Sequence, residues 1–129
     1  METRRVPAVS PYEETFKYSR AVRRGNQVCI SGTASIGDDG KTVGVGDPEA
    51  QMRRCMEIIE KSLTALGAGL EDVVRVRIFA IDGAHAEPVG RVHNEFFGEL
   101  RPALTMVKTG LLHPEWLIEV EVDAVVESS

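Results

Sequence analysis

Three carboxylates, Glu119, Glu121 and Asp123, alternate with Ile118, Val120, Val122 and Ala124 near the C-terminal end of this chain. An alternation of period two places the acids on one face of a strand and the apolar side chains on the other. Like charges so spaced repel unless cations lie opposite, and Arg75 and Arg77 share a face of a second strand-like run over 73–81. Cross-strand pairing of the two rows accounts for Glu121 and Asp123. Glu119 stands apart as the first of its row, next to the turn that holds Trp116. Shielded from water by Trp116 and Leu104, a carboxyl there would titrate above its ordinary range and exchange protons with a substrate or a water.

Other segments offer binding chemistry. Ile30-Ser31-Gly32-Thr33 places a glycine where the missing Cβ lets a ligand approach the main chain. Tyr18 and Ser31, taken singly, read as ordinary strand residues. His93 lies on a predicted helix and is a candidate proton carrier, although a helix-face histidine is the plainer reading. His85, His93 and His113 have no spacing that makes a metal set, and Gly44-Val45-Gly46 lacks the lysine a phosphate loop requires. Neither a metal nor a cofactor is expected. Cys29 has no basic neighbour to activate it and reads as a buried structural thiol.

The elements that must position these residues are legible from pattern. Gly25-Asn26 between two apolar segments signals a hairpin. The glycine-rich stretch 37–46 is a loop. Asp47-Pro48-Glu49 then opens a helix, with a capping side chain, a proline suited to the first turn and an acid at the positive end of the dipole. Met52, Cys55, Met56, Ile59, Leu63 and Leu66 form its apolar stripe, and Gly67 and Gly69 end it. In the strand over 73–81, Val74, Val76, Ile78 and Ala80 are expected on one face, with Arg75, Arg77 and Phe79 on the other. A second helix runs from about Glu87 to Phe97, followed by a short strand over 104–107 and a last one over 117–126. Residues 1–16 read as an irregular N-terminal arm. The order predicts an α+β fold, a mixed sheet with two helices packed on one face.

Bulk properties narrow the function. At 129 residues the chain is expected to form a single domain over 1–129. The net charge of −5 opposes binding to a phosphate backbone, and the arginine doublets are scattered, so no nucleic-acid partner is expected. Apolar runs are short and no secretory signal is recognisable, so no membrane partner is expected. Two separated cysteines fit a reduced, cytoplasmic setting.

Tyr18-Ser19-Arg20-Ala21-Val22, Ser31-Gly32, Gly25-Asn26, Pro102-Ala103-Leu104-Thr105 and Ile118-Glu119-Val120-Glu121 together resemble the RidA (YjgF-type) superfamily over about 18–126. The resemblance implies a chorismate mutase-like fold and a homotrimer built round a central barrel, with small-molecule pockets between subunits. It implies that Glu119 positions a catalytic water, and that Tyr18, Ser31, Gly32, Thr33, His93, Leu104, Thr105 and Trp116 lie at the substrate-binding pocket. The sequence departs from the family pattern at Leu104, where an arginine clamps a substrate carboxylate. Thr33, Gly90 and His93 also depart from the usual residues. A guanidinium grips a carboxylate with two charge-assisted hydrogen bonds; leucine offers contact alone. The function this implies is an imine or enamine deaminase-like hydrolase with altered substrate range. A non-catalytic small-metabolite binding or regulatory protein is the alternative. An endoribonuclease or translation inhibitor, names also used in the family, fits the acidic charge less well.

Overall fold

The computed structural model describes residues 1–8, 10 and 12–127. Six strands, β1 (Thr3–Val6), β2 (Ala21–Arg24), β3 (Gln27–Thr33), β4 (Val73–Ala80), β5 (Ala103–Lys108) and β6 (Ile118–Val125), form one sheet in the order β1-β2-β3-β6-β4-β5. Neighbours run antiparallel except β4 and β5, which are parallel, so the sheet is mixed as the element order predicts. Gly25 turns the β2–β3 hairpin with a φ of 59°, a conformation that suits a residue without a Cβ.

Three helices accompany the sheet: α1 (Tyr12–Phe16), α2 (Pro48–Ala65) and α3 (Ala86–Phe97). Helix α2 starts where its sequence dictates, with the Asp47 side chain accepting from the Ala50 amide at 3.1 Å. Its stripe of Met52, Cys55, Met56, Ile59 and Leu63 is wholly buried against Val28, Val76, Ile78, Val120 and Val122. Helix α2 packs on β3 and β6, and α3 packs on α2. At the other end of α2, Arg4 and Arg23 both donate to the Leu66 carbonyl, at 2.9 and 2.8 Å. Two cations at a helix C-terminus satisfy a free carbonyl and complement the dipole.

Three expectations require correction. Residues 1–16, read as an irregular arm, contain β1 and α1; β1 forms because it finds the free edge of β2, a long-range partner that local sequence does not reveal. Val74 is 49% exposed, and Val73 takes its place in the core. The cause is a register shift between Val73 and Arg75, which breaks the alternation at one residue. Cys29, read as buried, is exposed, since Val28 and Ile30 claim the core side of β3. Cys55 is the buried thiol. No helix is long and apolar enough to cross a membrane among the described residues.

Candidate active site

The site is built on an irregularity in β3. Ile30 registers with Val122 and Thr33 with Val120, so Ser31 and Gly32 together stand against Glu121. Such a bulge bends the strand and re-aims the groups on it. Its backbone is tied down from several sides. The Ser31 amide donates to the Arg20 carbonyl at 3.0 Å, and the Ser31 hydroxyl donates to the Ser19 carbonyl at 2.7 Å. The Thr33 hydroxyl donates to the Ser31 carbonyl at 2.8 Å, and the Cys55 thiol reaches the Thr33 carbonyl at 3.3 Å. Arg20 Nη2 donates to the carbonyl of Ser31 and, at 2.7 Å, to that of Gly32.

Glu119 lies over this bulge. A Cβ added to Gly32 would fall 2.7 Å from Glu119 Oε2 and 3.1 Å from its carboxyl carbon. Only a glycine leaves room for the carboxylate so close to the main chain. Half-burial raises the Glu119 carboxyl above its ordinary titration range, Arg20 pulls it back down, and Glu121 pushes it up. The other two acids of the row are paired, since Arg77 Nη1 meets Glu121 and Asp123 at 3.2 Å each. Glu119 is therefore the acid of the row that makes no salt bridge among the described residues.

The approach to β6 is fixed from α2. Gln51 is fully buried; its amide nitrogen donates to the carbonyls of Gly44 and Glu115, at 3.1 and 3.0 Å, and its oxygen accepts from the Leu117 amide at 2.9 Å. Pattern reading passes over Gln51, because a glutamine within an apolar stripe carries no mark of what it will bind. It also passes over Arg20, whose reach to β3 depends on strand pairing.

The sequence-predicted residues fall into two groups. Ser31, Gly32, Thr33 and Glu119 come together at the bulge, and Tyr18, 36% exposed, lies near enough to Arg20 to affect its charge. Thr33 is fully buried with its hydroxyl committed to Ser31, so within this chain it braces the bulge. The remaining four lie elsewhere. Leu104 registers with Val76 and Thr105 with Arg77, while Glu119 registers with Phe79. Strand alternation therefore puts Leu104 on the opposite face from Glu119, 44% exposed at the edge, and it gives Glu119 no shield within the chain. Thr105, exposed, shares the face of Glu119 but lines up across β4 with Glu121, through Arg77. The Trp116 ring stacks on His113 with centroids 5.3 Å apart. The His93 ring packs tilted against Phe97 with centroids 4.6 Å apart, its Nε2 is buried and unpartnered, and burial lowers its titration range. No cluster of three or more His, Cys, Asp or Glu side chains is arranged to hold a metal among the described residues.

Comparison with known proteins fits this arrangement. The model of the Endoribonuclease L-PSP family matches residues 9–126. An uncharacterised protein of Streptomyces coelicolor is 35% identical over 122 residues, 94% of this chain and 90% of the relative. The 3-aminoacrylate deaminase RutC of Acinetobacter baylyi is 37% identical over 103 residues, 80% of this chain and 82% of the relative. The crystal structure of Rv2704 from Mycobacterium tuberculosis, a member of the YjgF/YER057c/UK114 family, superposes with a TM-score of 0.86 at 40% identity, covering 97% of this chain and 100% of that one. The chain thus belongs to the Endoribonuclease L-PSP family, the YjgF/RidA proteins.

Proposed function

We propose that this chain is an imine or enamine deaminase-like hydrolase, cytoplasmic and homotrimeric, with small-molecule pockets between subunits. The observation that carries the proposal is the Glu119 carboxyl, half-buried and laid against the Gly32 main chain. In this reading Glu119 takes a proton from water, the water oxygen bonds to the imine carbon, and the nitrogen accepts a proton. The resulting amino alcohol then collapses to a carbonyl compound and ammonia. The relative named 3-aminoacrylate deaminase supports chemistry of this class. Leu104 sets the substrate range: without a guanidinium at that position, a substrate carboxylate forgoes a contact worth roughly 2–5 kcal/mol. Small uncharged imines are the preferred substrates. Tyr18, Leu104, Thr105 and Trp116 contribute to the pocket when subunits adjoin.

The test is ammonia release from freshly generated imines of uncharged amines, comparing the protein with its Glu119→Ala variant. Wild type should accelerate release, and the variant should lose about 10²–10⁴-fold, the usual worth of a general base. Equal rates in the two proteins, or no release from any imine, would defeat the proposal. The exposed, uncharged Leu104 favours one second reading, a metabolite-binding trimer without turnover. Thermal-shift screening would then find stabilising ligands that mass spectrometry recovers unchanged. Net charge of −5 argues against RNA as the substrate.

A further inference from the structure

Arg20 stands where strand β2 begins, between Ser19 and the fully buried Ala21. An arginine at such a position ordinarily carries its charge out to water. Here the guanidinium turns back onto the β3 bulge and spends both Nη2 protons on the carbonyls of Ser31 and Gly32. Its Nε is buried without a partner. A neutral amide NH₂, as in glutamine, could make the same two hydrogen bonds with no unmet donor and no charge to desolvate. What arginine adds is positive charge, and Glu119 is the carboxylate that feels it.

We infer that Arg20 is a positioning residue for Glu119: its Nη2 holds the Ser31–Gly32 bulge on which the carboxylate lies, and its guanidinium sets a positive charge near that carboxylate. The inference rests on the hydrolase reading given above and deepens it. The surroundings of Glu119 support the assignment from each neighbouring element. Glu121, on the same strand, pushes against its charge and is itself engaged by Arg77. Strand β4 places the uncharged Phe79 opposite. Helix α2 contributes the Cys55 thiol, which burial holds in its neutral form. Tyr18 lies beside Arg20. Burial pulls the Arg20 guanidinium down from its ordinary value while the Glu119 carboxylate supports it, and an arginine stays protonated throughout.

The test follows the ¹³C-carboxyl resonance of Glu119 through a pH titration in protein labelled at glutamate, with the signal assigned by its loss in Glu119→Gln. In Arg20→Gln the resonance should titrate at higher pH than in wild type, and in Arg20→Lys at an intermediate pH. The acid limb of kcat/KM on an uncharged imine should move upward in step, with KM little changed. An unchanged Glu119 titration in Arg20→Gln overturns the inference. So does a wild-type preference for carboxylate-bearing imines that Arg20→Gln abolishes, because Arg20 would then be a ligand clamp. Should Arg20→Gln fail to fold, the neutral and similarly long Arg20→Met decides: a Glu119 titration identical to wild type overturns the inference. A shifted titration without imine turnover in any variant keeps the Arg20–Glu119 coupling and removes the hydrolase reading alone.

Discussion

The β3–β6 junction and the β5 edge carry the two halves of the expected site, and they are built to opposite plans. At the junction Arg20, Ser31, Gly32 and Thr33 are tied together by hydrogen bonds, to which α2 adds the Cys55 thiol, and Glu119 lies against Gly32. At the edge Leu104 and Thr105 stand exposed on a parallel strand with one neighbour. The function proposed above puts proton exchange in the braced half and ligand contact in the open half. There this chain has leucine in place of the arginine the resemblance implies, so that in this reading chemistry and specificity rest on different elements.

That separation can be broken experimentally, and the largest effect is expected at the junction. Glu119→Gln should lower imine hydrolysis by about 10²–10⁴-fold, since a neutral amide cannot act as the base. Its effect on stability should have the opposite sign. A carboxyl whose titration range is raised by folding stabilises the fold most when protonated, and that contribution is lost as pH rises through the raised value. Glu119→Gln should then melt above wild type at neutral pH, with the difference vanishing below about pH 4, where the ordinary carboxylate is itself protonated. A melting point below wild type at pH 7 and level with it at pH 9 would contradict the linkage.

Gly32→Ala comes next. The new Cβ would collide with Glu119 Oε2, but that atom is the far end of a flexible side chain and can swing away. Activity should fall by about 10²-fold from the misplaced carboxylate. Circular dichroism melts should show little change; a collapse of the fold would mean that the glycine serves the bulge and not the carboxylate.

Gln51→Leu probes the support behind the junction. It strands the Leu117 amide and the Glu115 carbonyl, at a cost of about 1–3 kcal/mol for a buried unmet group. Urea denaturation would read that loss, and a neutral result would remove Gln51 from the positioning of β6. The smallest stability effect belongs to the edge. Leu104→Arg alters an exposed side chain and should leave stability within about 0.5 kcal/mol. Its readout is selectivity: carboxylate-bearing imines should gain at least about 30-fold relative to neutral ones, the fold-change of roughly 2 kcal/mol at the low end of a desolvated guanidinium–carboxylate contact. No gain would dissociate Leu104 from the pocket.

Much of this organisation is legible in the residues themselves. The alternation over 118–124 announces β6 and its acidic face, and Asp47-Pro48 with its stripe announces α2, because local periodicity and capping determine both. Glu119 stands out as first of its row. What escapes are features that need two distant segments at once. The Val73–Arg75 irregularity is invisible because a bulge depends on the partner strand. Cys29 reads as buried from its apolar neighbours, which are themselves the residues that displace it. Arg20 carries no signal beyond a charge beside a core alanine, and its meaning arises when β2 is laid against β3. The resemblance implies that Leu104 and Glu119 meet between adjoining subunits, and within one chain strand parity puts them on opposite faces.

The position of β6 has a consequence for synthesis. Of the six strands, β6 leaves the ribosome after the other five and lies in the interior of the sheet, between β3 and β4. Strands β3 and β4 do not pair with each other, so β6 alone joins β1-β2-β3 to β4-β5, and without residues 118–125 each part would present an edge of unpaired amides and carbonyls. The strand that joins the sheet also supplies Ile118, Val120, Val122 and Ala124 to the core and carries Glu119 to Gly32. A chain arrested before residue 118 would lack both the joined sheet and Glu119.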